Sequence, residues 1–304
     1  MDKFCFSKKI KEKFINIYIL ILLSLLCLNL SIGNHVFAQD IRLVAGYASA
    51  YAITAKESGL EGSIKNPATS IKNINKKILV NINESYGMEI YHGLLGFGYE
   101  YIDDIFVTAL LPFSSIADIA QNEVINEIPT KIGQYNALHM YPQLSVTKRI
   151  NSKMLIGSSV IGIYDRISNE VGKGFSVDTG ILLTGEIINM GISLQNIGNS
   201  KFWSTGKIDH KPLQLNTGIA IKPIRNLEFL TDMSIIKEKM IKNIALIYDI
   251  SSYLNLTVGV RDIGTSNQVR SGANMILNSF SMHYSYGYHM ALGDSHKLGM
   301  TLDI

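Results

Sequence analysis

The sequence predicts an all-β protein, a transmembrane antiparallel β-barrel of about fourteen strands. Two observations carry this. Candidate strands of about ten residues recur along most of the chain, each apolar on one face and polar on the other. A tilted strand of that length crosses a bilayer, whereas strands of soluble proteins more often run to five or six residues. The second is the polar face itself, which is rich in Gly, Ser, Thr and Asn. A water-facing outer surface would more often carry Lys and Glu. The rival fold, a soluble sandwich, also alternates, with its apolar face turned into a core.

The first 38 residues have the three parts of a secretory signal: a basic start from Lys3 to Lys13, an apolar run from Ile15 to Ile32, and the ending Val36-Phe37-Ala38. Cleavage is expected after Ala38. The rival is an uncleaved anchor, since the run is nearly long enough to span. Lipoprotein processing at Cys27 is rejected, because Leu25 and Leu26 precede it where small residues belong. Both cysteines, Cys5 and Cys27, fall in this segment. The mature chain is therefore expected to have no disulfide, thiolate metal site or Cys nucleophile. Five of the 28 basic and two of the 25 acidic residues also lie here, leaving 23 of each behind. A neutral mature chain argues against a nucleic-acid partner.

Residues 39–77 follow, rich in Ala, Gly and Tyr at first, then passing through Asn66-Pro67-Ala68. They lack clean alternation and read as a tucked-in segment rather than a strand. From Ile78 the expected strands are 78–86, 91–101, 104–112, 139–150, 153–164, 175–185, 187–197, 213–223, 226–236, 242–251, 253–263, 268–277, 279–289 and 295–304. The pattern is clearest late in the chain. Ile188, Met190, Ile192 and Leu194 oppose Asn189, Gly191, Ser193 and Gln195; Leu254, Leu256, Val258 and Val260 oppose Asn255, Thr257, Gly259 and Arg261. It is weakest in 153–164, where both faces are apolar. Tight connections at 150–153, 184–187, 223–226 and 251–253 contrast with long loops expected at 112–138, 165–174 and 198–212, the asymmetry of an outer-membrane barrel. The loop 113–137 is expected to pack down, with a short amphipathic helix over the mouth as the other reading. Tyrosines near strand ends, such as Tyr86, Tyr91, Tyr101, Tyr253 and Tyr288, suit a girdle at the lipid boundaries.

Charge on lipid-facing positions costs roughly 2–4 kcal/mol at mid-depth for Arg or Lys. Asp178, Glu228, Asp232, Asp249, Arg261, Arg270 and Asp303 are therefore expected to face the lumen, pairing with one another and holding the plug. Leu155, Ile161 and Ile163 would line a greasy path through it. The seven histidines show no paired ligand spacing, no Gly-rich phosphate loop occurs, and nothing points to a catalytic triad. No catalytic, cofactor or metal site is expected, and the protein is read as not an enzyme.

Three stretches resemble one family in order along the chain. The small-residue entry ending in Asn66-Pro67-Ala68 resembles the opening of FadL-type outer-membrane proteins and their PorV/PorQ-type relatives. Val177 to Leu183 followed by Gly191 to Gly198 resembles the paired strand motifs of the PorV-like branch, and Leu292 to Met300 its closing strand. The resemblance implies a fourteen-stranded barrel in the outer membrane with residues 39–77 plugging the lumen. It implies membrane lipid as a partner. It implies transport of a hydrophobic small molecule or, alternatively, an accessory role with secretion-system proteins; a structural barrel without cargo is the third reading. Two features depart from the pattern: the chain ends in Ile304 rather than Phe, and the mature part is short for a fatty-acid channel.

Overall fold

The computed structural model describes residues 46–70, 76–125, 128–290 and 292–304. The expected signal, and residues 39–45 and 71–75 of the expected plug, lie outside them. Almost everything from Lys76 onward is strand. In chain order these are β1 (Lys76–Ser85), β2 (Ile90–Ile102), β3 (Ile105–Ile125), β4 (Ile128–Met140), β5 (Gln143–Asn151), β6 (Met154–Ile167), β7 (Glu170–Leu183) and β8 (Ile188–Trp203). Then come β9 (Ile208–Asp209), β10 (Gln214–Ile224), β11 (Leu227–Ile236), β12 (Lys239–Asp249), β13 (Leu254–Arg261), β14 (Gln268–Leu277), β15 (Phe280–His289) and β16 (Gly293–Asp303).

Neighbours in sequence pair antiparallel, and β1 pairs with β16 from Lys77↔Asp303 to Ser85↔Ser295, which closes the sheet into a ring. Two staves are built from two strands each. β4 and β5 lie end to end against β3, interrupted at Tyr141-Pro142, and β9 is a short tip on β8 beyond its ladder with β10. The ring therefore has fourteen staves, and each overlaps one of the fourteen expected strands. Pro142 lacks an N–H, but the seam beside it stays bonded. Tyr141 N–H donates to Pro112 O at 2.9 Å and Gly162 N–H to Pro142 O at 2.8 Å.

The molecule is inside-out. Ile82, Leu95, Val146, Val160, Ile192, Leu256, Val258 and Leu298 are exposed on the outer face, whereas Asn81, Thr108, Ser145, Ser159, Ser193, Asn216 and Ser285 are buried on the inner one. A soluble sandwich would show the reverse, so the apolar face meets lipid. A ten-residue stave tilted as barrel strands are covers about 25 Å, the height of the apolar band.

Three expectations about connections are corrected. Residues 113–137 are neither a packed loop nor a helix: β3 and β4 continue as a two-stranded ribbon, paired from Phe113↔Met140 to Ile125↔Ile128. β2 leaves β3 at Ile116 and β6 leaves β4 at Ala137, so the ribbon beyond projects free on both edges. The 165–174 loop shrinks to a turn, because β6 runs to Ile167 and β7 begins at Glu170. The 198–212 loop is shorter because β8 continues to Trp203. In each case the strands outlast the apolar band, and alternation fades where both faces meet water. The 153–164 stretch, read as two apolar faces, alternates without a break. Leu155, Gly157, Ser159, Ile161 and Ile163 are buried, and Ile156, Ser158 and Val160 are exposed.

Candidate functional site

The candidate site is the lumen. Residues 46–70 run inside the ring and touch staves all round it. They are mostly buried, with turns at Gly59–Ile64 and Pro67–Thr69. Two sets of contacts hold them. Glycines on the staves form the first. A Cβ at Gly98 would meet Leu60; at Gly157, Pro67; at Gly180, Asn66; at Gly191 and Gly218, Thr54; at Gly259, Ala50; at Gly272, Ala48; and at Gly287, Tyr47. Eight staves thus each give up a side chain where the segment passes, which lets backbone approach backbone.

Hydrogen bonds from the inward polar residues form the second set. Gln143 Nε2 donates to Ser63 O at 2.9 Å, Gln195 Nε2 to Ile64 O at 2.7 Å, Ser193 Oγ to Lys65 O at 2.8 Å and Thr147 Oγ1 to Pro67 O at 2.5 Å. They satisfy carbonyls that an irregular buried segment would leave unpaired. The ammonium of Lys65 donates to Ser234 Oγ at 2.7 Å.

The expected site residues fall in different places. Asn66 is wholly buried. Its Nδ2 donates to Thr54 O at 2.8 Å and to Ile181 O at 3.2 Å, while its Oδ1 accepts from Ala68 N–H at 3.0 Å. Asn66 thereby caps the Pro67–Thr69 turn and ties it to both the segment and β7. Pro67 and Ala68 sit against β6. Asp232 accepts from the Thr54 N–H at 3.0 Å and its hydroxyl at 2.5 Å. Asp178 is wholly buried and accepts from Asn196 N–H at 2.8 Å, where β8 bulges and Asn196 turns to φ 64°. Glu228 lies 3.5 Å from both Lys56 and Lys222. Asp249 and Asp303 are exposed at strand ends, and Asp303 pairs with Lys77 at 2.9 Å. Arg261 and Arg270 stack on Tyr51, with guanidinium carbons 4.8 and 4.5 Å from its ring centre. Leu155, Ile161 and Ile163 do face inward, but Leu155 packs in the cluster with Leu60 and Ala68, and the other two pack with Tyr141.

Two groupings escaped the sequence reading. Glu61 accepts from Lys297 Nζ at 2.9 Å, from Gly46 N–H at 3.0 Å and from Asn81, with His283 at 3.6 Å. Burial pushes the Glu61 carboxyl up, but the charges of Lys297 and His283 and the Gly46 N–H outweigh it and hold the pKa at about 2. Lys297 had a signal in the sequence, since it alternates inward between Ser295 and Gly299. Glu61 had none. The second grouping lies towards the ribbon end. Asp165 accepts from His139 Nδ1 and Lys201 Nζ, both at 2.8 Å. Beside it, Trp203 Nε1 donates to Asp209 at 2.7 Å. That bond foremost, then the Lys207 ammonium against a small effect of burial, lowers the Asp209 pKa. Among the described residues no group of three His, Cys, Asp or Glu side chains is placed to hold a metal.

No family model matches the chain, and no curated protein does. Solved structures do. The Pseudomonas putida toluene transporter TodX aligns with a TM-score of 0.67 at 11% identity, over 87% of this chain and 99% of its own. The Ralstonia pickettii toluene transporter TbuX gives 0.62 at 10%, over 85% and 97%. A Pseudomonas aeruginosa FadL homologue gives 0.57 at 9%, again over 85% and 97%. At such identities the likeness establishes architecture. The chain has the fourteen-stave fold shared by the toluene transporters and the FadL homologue.

Proposed function

We propose that the protein is a FadL-like transporter that passes a hydrophobic small molecule across the outer membrane, with residues 39–77 acting as its plug. The observation that carries the reading is a lipid-facing ring whose lumen is filled by a segment seated on glycines and side-chain hydrogen bonds, in the fold of transporters described as carrying toluene. At the ribbon end β3, β4 and β8 run on past the barrel, whereas the other end closes in short turns, and this asymmetry orients the ribbon outward in the outer membrane. Export there suits the basic-then-apolar signal at 1–38. The secretion-accessory alternative rests on the sequence resemblance alone, finds no counterpart among the solved structures named above and is not taken further.

The test is uptake of radiolabelled toluene into liposomes carrying the purified mature protein. A rate above that of protein-free liposomes is expected. Equal rates, with the protein shown folded by faster gel mobility unheated than boiled, would sink the transport reading.

A further inference from the structure

The outward face of β6, β7 and β8 changes character at the ribbon end. Going towards that end, β7 presents Leu183, Ile181, Thr179, Val177 and Phe175 to lipid in turn, and its next outward residue is Lys173. On β6 the outward run through Ile156 and Val160 ends in Tyr164 and Arg166. Lys173 is paired with Tyr164 on one side and with Phe202 on the other, while Arg166 is paired with Val171. Arg166 and Lys173 are therefore diagonal neighbours on one face of the ladder, their Cα atoms about 7–8 Å apart. Both are exposed, and neither side chain has an ion pair, hydrogen bond or ring contact among the described residues. Phe175 and Phe202 are exposed beside them.

Two cations just past the end of an apolar run stand at the level of lipid headgroups, and exposed aromatic rings mark the same boundary. Like charges on neighbouring strands repel, and the nearest acid does not offset them: Glu170, at the β6–β7 turn, accepts from Ser204 Oγ. The rim is not basic throughout, since the outward residues at the same end of β1 and β16 are Glu84 and Asp294. We propose that Arg166 and Lys173 hold the phosphate of an outer-leaflet lipid headgroup, with Tyr164, Phe175 and Phe202 packing along its apolar body. A guanidinium fork takes two phosphate oxygens, an ammonium adds a point charge, and both side chains are long enough to close on one group across the diagonal. The occupant is a lipid rather than free phosphate because the two cations continue the lipid-facing band and lie among its terminal rings. The site is outside the lumen. It rests on the outward orientation of the ribbon and not on what crosses the barrel.

The probe is diphosphoryl lipid A, titrated into the mature protein in mild detergent and followed by native mass spectrometry. Monogalactosyl diacylglycerol is the neutral glycolipid control. Lipid A is expected to bind at least tenfold tighter than the control. A basic residue beside an anionic headgroup contributes roughly fivefold, so R166Q/K173Q is expected to weaken lipid A by at least tenfold. The charge-retaining R166K/K173R should restore most of the binding, and E84Q should leave it unchanged. Unheated gel mobility reports folding; if the double variant misfolds, R166Q and K173Q singly carry the test at roughly fivefold each. Equal affinity for the two glycolipids, or wild-type lipid A affinity in the folded charge-removing variants, overturns the proposal. So does displacement of lipid A by millimolar inorganic phosphate, because the free ion would then be the ligand. Failure of toluene uptake leaves this site standing, and loss of the site leaves the transport reading standing.

Discussion

At the scale of single residues the lumen is held by a few buried charges whose partners come from far along the chain. Glu61 and Lys297 are the clearest pair. Removing one member of a buried ion pair leaves the other uncompensated, at a cost of about 3–5 kcal/mol. E61Q should therefore loosen residues 46–70 while leaving the staves intact, seen as faster protease cleavage within that segment in the folded barrel. The pH dependence has a definite sign. The Glu61 pKa is depressed to about 2 from an ordinary 4.5, so its contribution is complete above about 4.5 and lost as pH falls through about 2. Cleavage of the segment by an acid-stable protease should rise across that window in the wild type and stay flat in E61Q. Of this pair only the inward direction of Lys297 was legible in the sequence; Glu61 was not. Asp232 and Arg270 could be placed inside from alternation and the cost of charge in lipid, but what each one touches depends on a segment with no period of its own.

Elements show where strand reasoning works and where it stops. Period two is strong wherever one face meets lipid and the other a packed interior, and there the expected staves match the observed ones to within a few residues, as in 226–236 against Leu227–Ile236. The ribbon of β3 and β4 has neither partner. Ala117, Asp118, Ala120 and Glu123 are all exposed, so no face is apolar enough to announce a strand. Since the ribbon leaves its neighbours at Ile116 and Ala137, cutting it back should cost the barrel little. Deletion of 118–135 with a two-residue turn in its place is expected to preserve the mobility difference between unheated and boiled protein. The glycine seat behaves oppositely. A methyl group at Gly191 would meet the Thr54 carbonyl, which cannot yield without moving backbone, so G191A should destabilise by roughly 1–3 kcal/mol. G133A, on the open ribbon, should be silent in the same thermal unfolding measurement.

For the whole molecule the inversion of polarity is the governing fact. Val160 is 60% exposed near the middle of its stave, and its environment is lipid. V160R should therefore cost roughly 2–4 kcal/mol of folding stability in a bilayer. Urea titration followed by the fluorescence of Trp203, the chain's single tryptophan, reads that cost. A loss below 1 kcal/mol would place the residue outside the apolar band. This level was the most legible from sequence, because the composition of the two faces already distinguishes a barrel from a sandwich. The signal stood apart from the strands, and its residues lie outside those described.

The seam between β1 and β16 sets a timetable. It joins residues more than 200 positions apart, Lys77 to Asp303, and so is the last ladder that loop-closure entropy allows to form. The segment on the glycine track comes before β1 in the chain, so it is made before any stave and is present throughout the sheet's growth. Wrapped early, it is a mandrel on which the staves are laid. Added late, it would have to thread a finished tube lengthwise and find eight glycines in order.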